Sequence, residues 1–219
     1  MSAVGPVPGR RRGPKGVRGW FITFEGIDGA GKSTQIEFVA AALRARGIDP
    51  VITREPGGTP LAEALRALIL NQAMTPSTET LLLFAARSDH LERVIRPALA
   101  AGRWVLCDRF TDATYAYQVS GRGLPVEQVA ALERWVHPDL QPDVTLLFDV
   151  PPDVAAQRLA NARAADRFES ERVDFFTAVR RGYLERAAAH PSRYVVIDGT
   201  TSPDAVRSRL TEVIAQWNA

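Results

Sequence analysis

The sequence predicts an α/β fold in which a five-stranded parallel sheet carries helices on both faces. Five short runs of apolar, aromatic and β-branched residues alternate with segments of helical periodicity. Such an alternation forms right-handed βαβ units and therefore a parallel sheet that is buried on both sides. Charged or glycine-rich residues follow each run, as in loops at the carboxyl edge of such a sheet. The runs are residues 20–24, 50–53, 104–107, 144–148 and 194–197.

Length and charge indicate one domain behind a short basic leader. The chain has 219 residues, enough for a single domain with a substantial core. Residues 1–19 hold five basic and no acidic residues, and we expect a disordered leader that is neither a secretory nor a twin-arginine signal. The domain, residues 20–219, has 22 basic and 25 acidic residues. Since the net positive charge of the chain comes from the leader, we expect no nucleic-acid partner.

Apolar runs and cysteine usage predict a cytoplasmic protein with no membrane partner. The longest apolar run, residues 81–86, has six residues. A membrane-spanning helix needs about 20. The single cysteine, Cys107, has no partner for an intrachain disulfide and fits a reducing compartment.

A phosphate-binding loop follows the first predicted strand. Residues 26–33 match the pattern G-x-x-x-x-G-K-[ST] at every fixed position. Its glycines let backbone N–H groups and the next helix N-terminus surround a polyphosphate. Lys32 is expected to reach the β and γ phosphates, and the Ser33 hydroxyl is a candidate Mg²⁺ ligand. The expected ATP-binding residues are Gly26, Ile27, Asp28, Gly29, Ala30, Gly31, Lys32, Ser33 and Thr34.

Two helices are predicted between this loop and the middle of the chain. The first spans residues 35–46 and presents one apolar face. The second ends near residue 70, with Thr59 as its N-cap and Pro60 in its first turn. Leu61 and Leu68 are among the residues expected to face inward.

A long helix and five shorter ones complete the pattern. Ser77 or Thr78 is the predicted N-cap of the long helix, and Gly102 closes it. A glycine-rich loop is expected at residues 120–124. The remaining helices are predicted at residues 111–118, 126–135, 153–160, 169–189 and 204–217.

The end of the third strand narrows the class of nucleotide-binding protein. A GTPase is excluded, because its Asn-Lys-x-Asp motif needs a lysine in the domain besides Lys32, and the only other lysine is Lys15 in the leader. A mechanical ATPase usually has two acids here, whereas this strand is followed by Asp108 and Arg109. Asp108 can serve the metal ion through water, together with Ser33. Arg109, beside the γ-phosphate, suggests a second anionic substrate.

The many arginines predicted at the same edge favour a phosphate monoester as the acceptor. Such a group is largely ionised near neutral pH, because its second pKa is about 6. It needs no general base, but it needs cations that bring two anions into line. Arginine binds phosphate bidentately. A hydroxyl acceptor with Asp28 or Glu55 as its base remains open.

Six segments in unbroken order carry a more specific pattern. They are residues 26–34, 53–59 (Thr-Arg-Glu-Pro-Gly-Gly-Thr), 84–87, 108–110, 115–118 and 166–169. From residue 20 to the C-terminus the chain thereby resembles bacterial thymidylate kinases. The resemblance implies the fold of the P-loop kinases with a small lid. It also implies transfer of the γ-phosphoryl group of ATP to dTMP, giving dTDP, with Mg²⁺, by a homodimer.

The resemblance also implies roles for single residues. Asp28 would hold the 3′-OH of the acceptor sugar, and Arg66 and Arg109 would clamp its phosphate. Phe84 would stack on thymine, and Arg87 would donate a hydrogen bond to it. The expected dTMP-binding residues are Asp28, Glu55, Arg66, Phe84, Arg87, Arg109, Thr114, Tyr117 and Gln118. Among them Tyr117 would disfavour a 2′-OH, and Thr114 and Gln118 would contact the base edge.

A cation is missing from the variable part of the phosphate-binding loop. Some thymidylate kinases carry an arginine there, whereas this chain has Gly29 and Ala30. Residues 158–168 resemble the lid of the bacterial type and would supply the charge instead, with Arg158 and Arg163 as candidates. The expected catalytic residues are Lys32, Arg109, Arg158 and Arg163.

Two alternatives remain open at this point. One is a deoxynucleoside kinase, or another nucleoside-monophosphate kinase of similar architecture. The other is a nucleotide-binding module without transfer, or a nucleic-acid-binding ATPase that uses the basic leader.

Overall fold

A five-stranded parallel sheet forms the centre of the molecule and confirms the predicted fold class. The structure is a computed structural model that describes residues 12, 13, 16–160 and 173–217. The order across the sheet is β4-β5-β3-β6-β7. Each predicted strand is present, with its ends shifted by at most one residue. The strands are β1 Arg12–Gly13, β2 Gly16–Val17, β3 Phe21–Glu25, β4 Val51–Arg54, β5 Val105–Asp108, β6 Val144–Asp149 and β7 Tyr194–Asp198.

Helices cover both faces of this sheet. Side chains of β3 alternate between the faces, with Ile22 and Phe24 in one buried cluster and Phe21 in another. The helices are α1 Lys32–Arg44, α2 Pro60–Asn71, α3 Pro76–His90, α4 Arg96–Ala100, α5 Thr111–Thr114, α6 Val126–Val136, α7 Pro152–Ala160, α8 Val173–Ala189 and α9 Pro203–Ala215.

Two π-helical segments interrupt what the sequence predicts as ordinary α-helix. Leu91–Ile95 joins α3 to α4, so the predicted long helix is continuous but changes its winding. Tyr115–Gly121 continues α5. The predicted loop at residues 120–124 is therefore wrong at its start, since the helix runs three residues past 118. Such segments are rare and often occur at functional sites.

The predicted cap of the long helix is corrected to Thr75. Its hydroxyl accepts a hydrogen bond from the backbone N–H of Thr78, at 3.2 Å. Pro76 occupies the first helical position, where a missing N–H costs nothing, and this places the cap directly before it. Thr59 caps α2 as predicted, accepting from the backbone N–H of Ala62 at 3.1 Å.

The inward orientation predicted for Leu61 and Leu68 is wrong. Leu61 is 53% exposed and Leu68 is 40% exposed, while Ile69 on the same helix is buried. Leu81, in the predicted apolar stripe of the long helix, is 56% exposed. Both α2 and α3 therefore carry more apolar residues than the rest of this chain buries.

Contacts with the domain begin inside the predicted leader. The guanidinium of Arg18 forms an ion pair with Asp143 at 2.6 Å. The backbone N–H of Gly19 donates to the carbonyl of Leu99 at 3.0 Å. β1 and β2 pair with each other in antiparallel fashion. Whether the remaining leader residues are disordered stays a prediction, because residues 1–11, 14 and 15 lie outside the described part of the chain.

None of the described helices combines the length and the apolar character that crossing a membrane requires.

Candidate active site

The phosphate-binding loop runs from the end of β3 into α1, as the motif predicts. Gly31 precedes the helix with φ of 88°, a left-handed conformation that favours glycine. Lys32 begins α1, and its Nζ donates to the carbonyls of Gly26 and Ile27 at 3.1 and 3.2 Å. Burial and the neighbouring Arg109 lower the pKa of Lys32. The ammonium group is thus held inside the loop, and the N-terminus of α1 presents its free N–H groups there.

Arg109 follows β5 and ties this loop to the rest of the edge. Its φ of 68° places a residue with a side chain in the left-handed region, which is uncommon and often marks a functional site. Nη1 donates to the carbonyl of Gly26 at 3.0 Å, and Nη2 donates to Asp28 at 2.8 Å. Burial would raise the pKa of Asp28, but Arg109 and Lys32 lower it to about 2, so Asp28 is ionised near neutral pH.

Two buried side chains hold Arg109 in this position. Tyr183 of α8 accepts from Arg109 Nη1 at 2.9 Å and donates to Glu25 at 2.8 Å. Glu25, the last residue of β3, also accepts from the backbone N–H of Phe110 at 2.7 Å. Burial, reinforced by the carboxylate of Asp112, raises the pKa of Glu25. One carboxyl group therefore contacts both the backbone beside Arg109 and, through Tyr183, its guanidinium.

A cavity of about 690 Å³ opens beside Arg109. Most of the residues predicted to bind the acceptor line it. These are Asp28, Glu55, Arg66, Arg87, Arg109, Thr114, Tyr117 and Gln118. They come from the loops after β3, β4 and β5, from α2 and α3, and from α5 with its π-helical continuation. The topology thus brings together residues that are up to 90 positions apart in the sequence.

The far end of the cavity is built around Arg87 of α3. Its Nε donates to Glu55 at 2.7 Å and its Nη2 donates to Thr114 at 3.0 Å. Nη1 is buried and has no hydrogen-bond partner among the described residues. Burial would raise the pKa of Glu55, but Arg87 and His90 outweigh this effect and lower it. This end of the cavity therefore offers a fixed, charged hydrogen-bond donor.

Phe84 is the one expected acceptor-binding residue that does not line the cavity, so its stacking on the base stays a prediction. It is 2% exposed, and its ring lies beneath the guanidinium of Arg87, 4.6 Å from ring centroid to Cζ. It also stacks on His137, with ring centroids 6.4 Å apart. Leu83 lines the cavity instead. Adjacent helical residues point about 100° apart, so only one of the two can face the cavity.

Not every charged residue at the sheet edge belongs to this site. Arg54 is not among the residues that line the cavity and forms an exposed ion pair with Glu63 at 2.9 Å. Asp149 pairs with Arg180 at 2.6 Å, and Asp198 accepts hydrogen bonds from Thr200. The common edge was predicted correctly, but only part of it faces the acceptor cavity.

Known proteins of one family match the chain over nearly its whole length. A sequence model described as thymidylate kinase matches residues 24–210. Thymidylate kinase from Methylobacillus flagellatus is 56% identical over 203 residues, covering 93% of this chain and 100% of that protein. The one from Cupriavidus metallidurans is 60% identical over 199 residues, with coverages of 91% and 99%. The chain belongs to the thymidylate kinase family.

A solved structure supports the family assignment at the level of the fold. The crystal structure of thymidylate kinase from Ehrlichia chaffeensis superposes with a TM-score of 0.72 at 33% identity, and covers 90% of this chain and 99% of that one. The resemblance read from the six segments is therefore confirmed.

Part of the lid expected for a thymidylate kinase lies outside the described residues, and Arg163 belongs to that part. Arg158, near the end of α7, is described, and its Nη2 donates to the carbonyl of Gly199 at 2.9 Å. Of the residues that hold the site together, sequence reasoning missed Glu25, Tyr183 and Glu79, the last of which accepts from Gln118 at 2.8 Å. The signal for Glu25 was present, since it is a charged residue at the end of a buried strand.

Proposed function

We propose that this protein transfers the γ-phosphoryl group of ATP to the phosphate of dTMP, giving dTDP. The observation that carries the proposal is the position of Arg109. Its guanidinium contacts the phosphate-binding loop through Gly26 and Asp28, and it also lines the acceptor cavity. One cation would thus touch both donor and acceptor phosphates. Bringing two anions together in line is the main catalytic task when the acceptor is already ionised.

The polar groups of the cavity fit the parts of dTMP. Arg66 of α2 is held by the carbonyl of Pro56 at 3.1 Å and, with Arg109, would bind the acceptor phosphate. Asp28 would accept from the 3′-OH. Tyr117 donates to Asp28 at 3.2 Å and so lies beside the sugar position. Arg87 Nη1 would donate to the carbonyl oxygen at C4 of thymine, with Leu83 against the face of the base.

Magnesium is the metal ion that this chemistry implies. Asp108 ends β5, and its Oδ1 is buried with no hydrogen-bond partner among the described residues. An orphaned carboxylate oxygen fits an Mg²⁺-bound water, and the Ser33 hydroxyl fits direct coordination. A bound Mg²⁺ would neutralise charge on the β and γ phosphates.

The missing cation of the phosphate-binding loop would come from residues 158–168. A side chain at position 29 has no room, because a Cβ there would lie 2.5 Å from the carbonyl oxygen of Ala155 in α7. The helix that fills this space is the one that leads into the proposed lid. An arginine closing over the phosphates from that segment contributes on the order of 10³ in rate, by analogy with arginine fingers.

We further propose that the active form is a cytoplasmic homodimer. The exposed leucines of α2 and α3 support a self-association surface, which we call the leucine surface and define as Leu61, Leu68 and Leu81. Large exposed apolar residues on two packed helices are typical of protein interfaces. The single cysteine, Cys107, is buried and free, which suits a reducing compartment.

A coupled ADP-release assay across dTMP, dUMP, AMP, CMP and thymidine tests the activity. We expect dTMP to have the highest kcat/KM, and activity to require Mg²⁺. A preference for thymidine would contradict the proposal, because the arginines of the cavity would then lack an acceptor phosphate. A preference for AMP or CMP would favour another nucleoside-monophosphate kinase.

A further inference from the structure

Gln118 is held by a buried carboxylate at the base end of the cavity. Its Nε2 donates to Glu79 Oε1 at 2.8 Å. Gln118 is 2% exposed and Glu79 is 1% exposed, so the contact is shielded from water. Gln118 lines the cavity, whereas Glu79 lies behind it, in the first turn of α3. The hydrogen bond therefore connects a side chain of the cavity wall to a helix outside it.

This contact determines which end of the amide is available to a ligand. A side-chain amide has a donor end and an acceptor end that are nearly the same size. A carboxylate has only acceptors, so it selects the NH₂ end of Gln118. The first turn of a helix also favours negative charge, because of the unpaired N–H groups and the helix dipole. The carbonyl oxygen of Gln118 is then the group left for the cavity.

A fixed donor and a fixed acceptor thus occur at the same end of the cavity. Arg87 lies two helical turns after Glu79 and has its Nη1 without a partner among the described residues. Thymine and uracil present a carbonyl oxygen at C4 next to an N–H at N3. Cytosine presents an amino group next to an unprotonated ring nitrogen, which reverses the pattern. A site with polar groups of fixed direction rejects a ligand that leaves them unpaired.

We infer that Glu79 is a specificity-determining positioning residue, which fixes the amide of Gln118 so that the site accepts thymine and uracil and rejects cytosine. Glu79 itself does not touch the nucleotide. The inference rests on the proposed binding of the base by Arg87 and Gln118. It adds a reason why Gln118, whose amide could turn either its donor or its acceptor end toward the ligand, recognises only bases with an N–H at N3.

The substitution Glu79→Gln tests it directly. A glutamine at position 79 can donate as well as accept, so it also tolerates Gln118 with its NH₂ end toward the cavity. We expect the ratio of kcat/KM for dTMP to that for dCMP to fall about tenfold or more. Where dCMP turnover is too slow to measure, the inhibition constant of dCMP against dTMP phosphorylation replaces kcat/KM. The ratio for dTMP to dUMP should not change, because both bases present the same edge.

Glu133→Gln is the matched control. Glu133 accepts from the side-chain amide of Gln141 at 2.6 Å, which is the same type of pair outside the cavity. Its substitution should leave the dTMP to dCMP ratio unchanged. Glu79→Asp keeps a carboxylate and should retain more of the discrimination than Glu79→Gln does.

Three outcomes separate the role of Glu79 from base recognition by Gln118. If Gln118→Ala lowers the ratio but Glu79→Gln leaves it within about twofold of the parent value, the role of Glu79 is overturned. An equal loss with dTMP, dUMP and dCMP in Glu79→Gln also overturns it, since that result indicates general structural support. If Gln118→Ala leaves the ratio unchanged, the proposed base recognition itself fails.

Discussion

Arg109 is the residue on which most contacts of the site converge. Its guanidinium donates to Gly26, Asp28, Tyr117 and Tyr183, so three separate parts of the chain determine its position. A left-handed backbone at a non-glycine residue is unfavourable by about 1–3 kcal/mol and persists only where surrounding contacts enforce it. The hydrogen bond from Phe110 to Glu25 supplies one such contact directly after Arg109.

The hydroxyl group of Tyr183 is expected to matter for catalysis although it lies outside the cavity. Tyr183→Phe keeps the ring packed against Tyr117 but removes the link between Glu25 and Arg109. A hydrogen bond to a charged group contributes about 1.5–3 kcal/mol. We therefore expect kcat/KM for dTMP to fall about tenfold in steady-state assays, and the melting temperature to fall by several degrees.

Tyr194→Phe provides the control for that prediction. Tyr194 is buried, and its hydroxyl has no hydrogen-bond partner among the described residues. Its removal should leave kcat/KM at the parent value. Equal effects of the two substitutions would show that the hydroxyl of Tyr183 does not position Arg109.

The elements that flank the proposed lid are both anchored in the site. α7 contacts the phosphate-binding loop, where Ala155 lies against Gly29. α8 packs so closely on the π-helical segment Tyr115–Gly121 that a Cβ at Gly182 would lie 2.3 Å from Ser120 Oγ. The two elements that flank the proposed lid thus contact different parts of the site, α7 the phosphate-binding loop and α8 the segment that lines the cavity.

We expect one of two lid arginines to contribute to the chemical step. Arg158→Ala and Arg163→Ala, made separately, should include one that lowers kcat by on the order of 10³ with little change in dTMP affinity, because its charge is needed only on the transferring phosphoryl group. Single-turnover kinetics and dTMP titration measure the two quantities. Arg181→Ala, an exposed arginine of α8 paired with Glu185, is the control. Parent-like kcat in both lid variants would contradict the assignment.

At the scale of the whole molecule, the exposed residues of the leucine surface predict that the protein forms a dimer. Burying a leucine side chain stabilises an interface by about 1.5–3 kcal/mol. Replacing it with a charged residue adds a desolvation cost if the surface is covered. We expect the parent protein to sediment as a dimer and Leu81→Glu to sediment as a monomer.

Val196→Glu is the matched control for the leucine surface. Val196 is exposed on β7, at the opposite end of the sheet from β4. The dimer should persist in this variant, as measured by sedimentation velocity. A monomeric parent protein, or a dimeric Leu81→Glu variant, would exclude the leucine surface as the site of self-association.

The sequence by itself determined the fold class, the five strands and the phosphate-binding loop between the first strand and the first helix. Those features depend on local patterns: the strand and helix periodicities, the glycine spacing around Lys32, and charged residues after each strand. Arg66, Arg87 and Gln118 lie within helical segments, and their expected roles came from the resemblance to thymidylate kinases.

Only the tertiary structure decided which of two neighbours faces the cavity and what holds the cavity wall in place. The sequence allows either Leu83 or Phe84 to reach the cavity, since helix rotation depends on packing against His137 and Arg87. It gives no sign that Glu79 meets Gln118, since these residues are 39 positions apart and only the chain's path through the sheet brings them together. It also hides the π-helical segment, whose composition is that of an ordinary helix. These features depend on contacts between elements, and no local pattern encodes them.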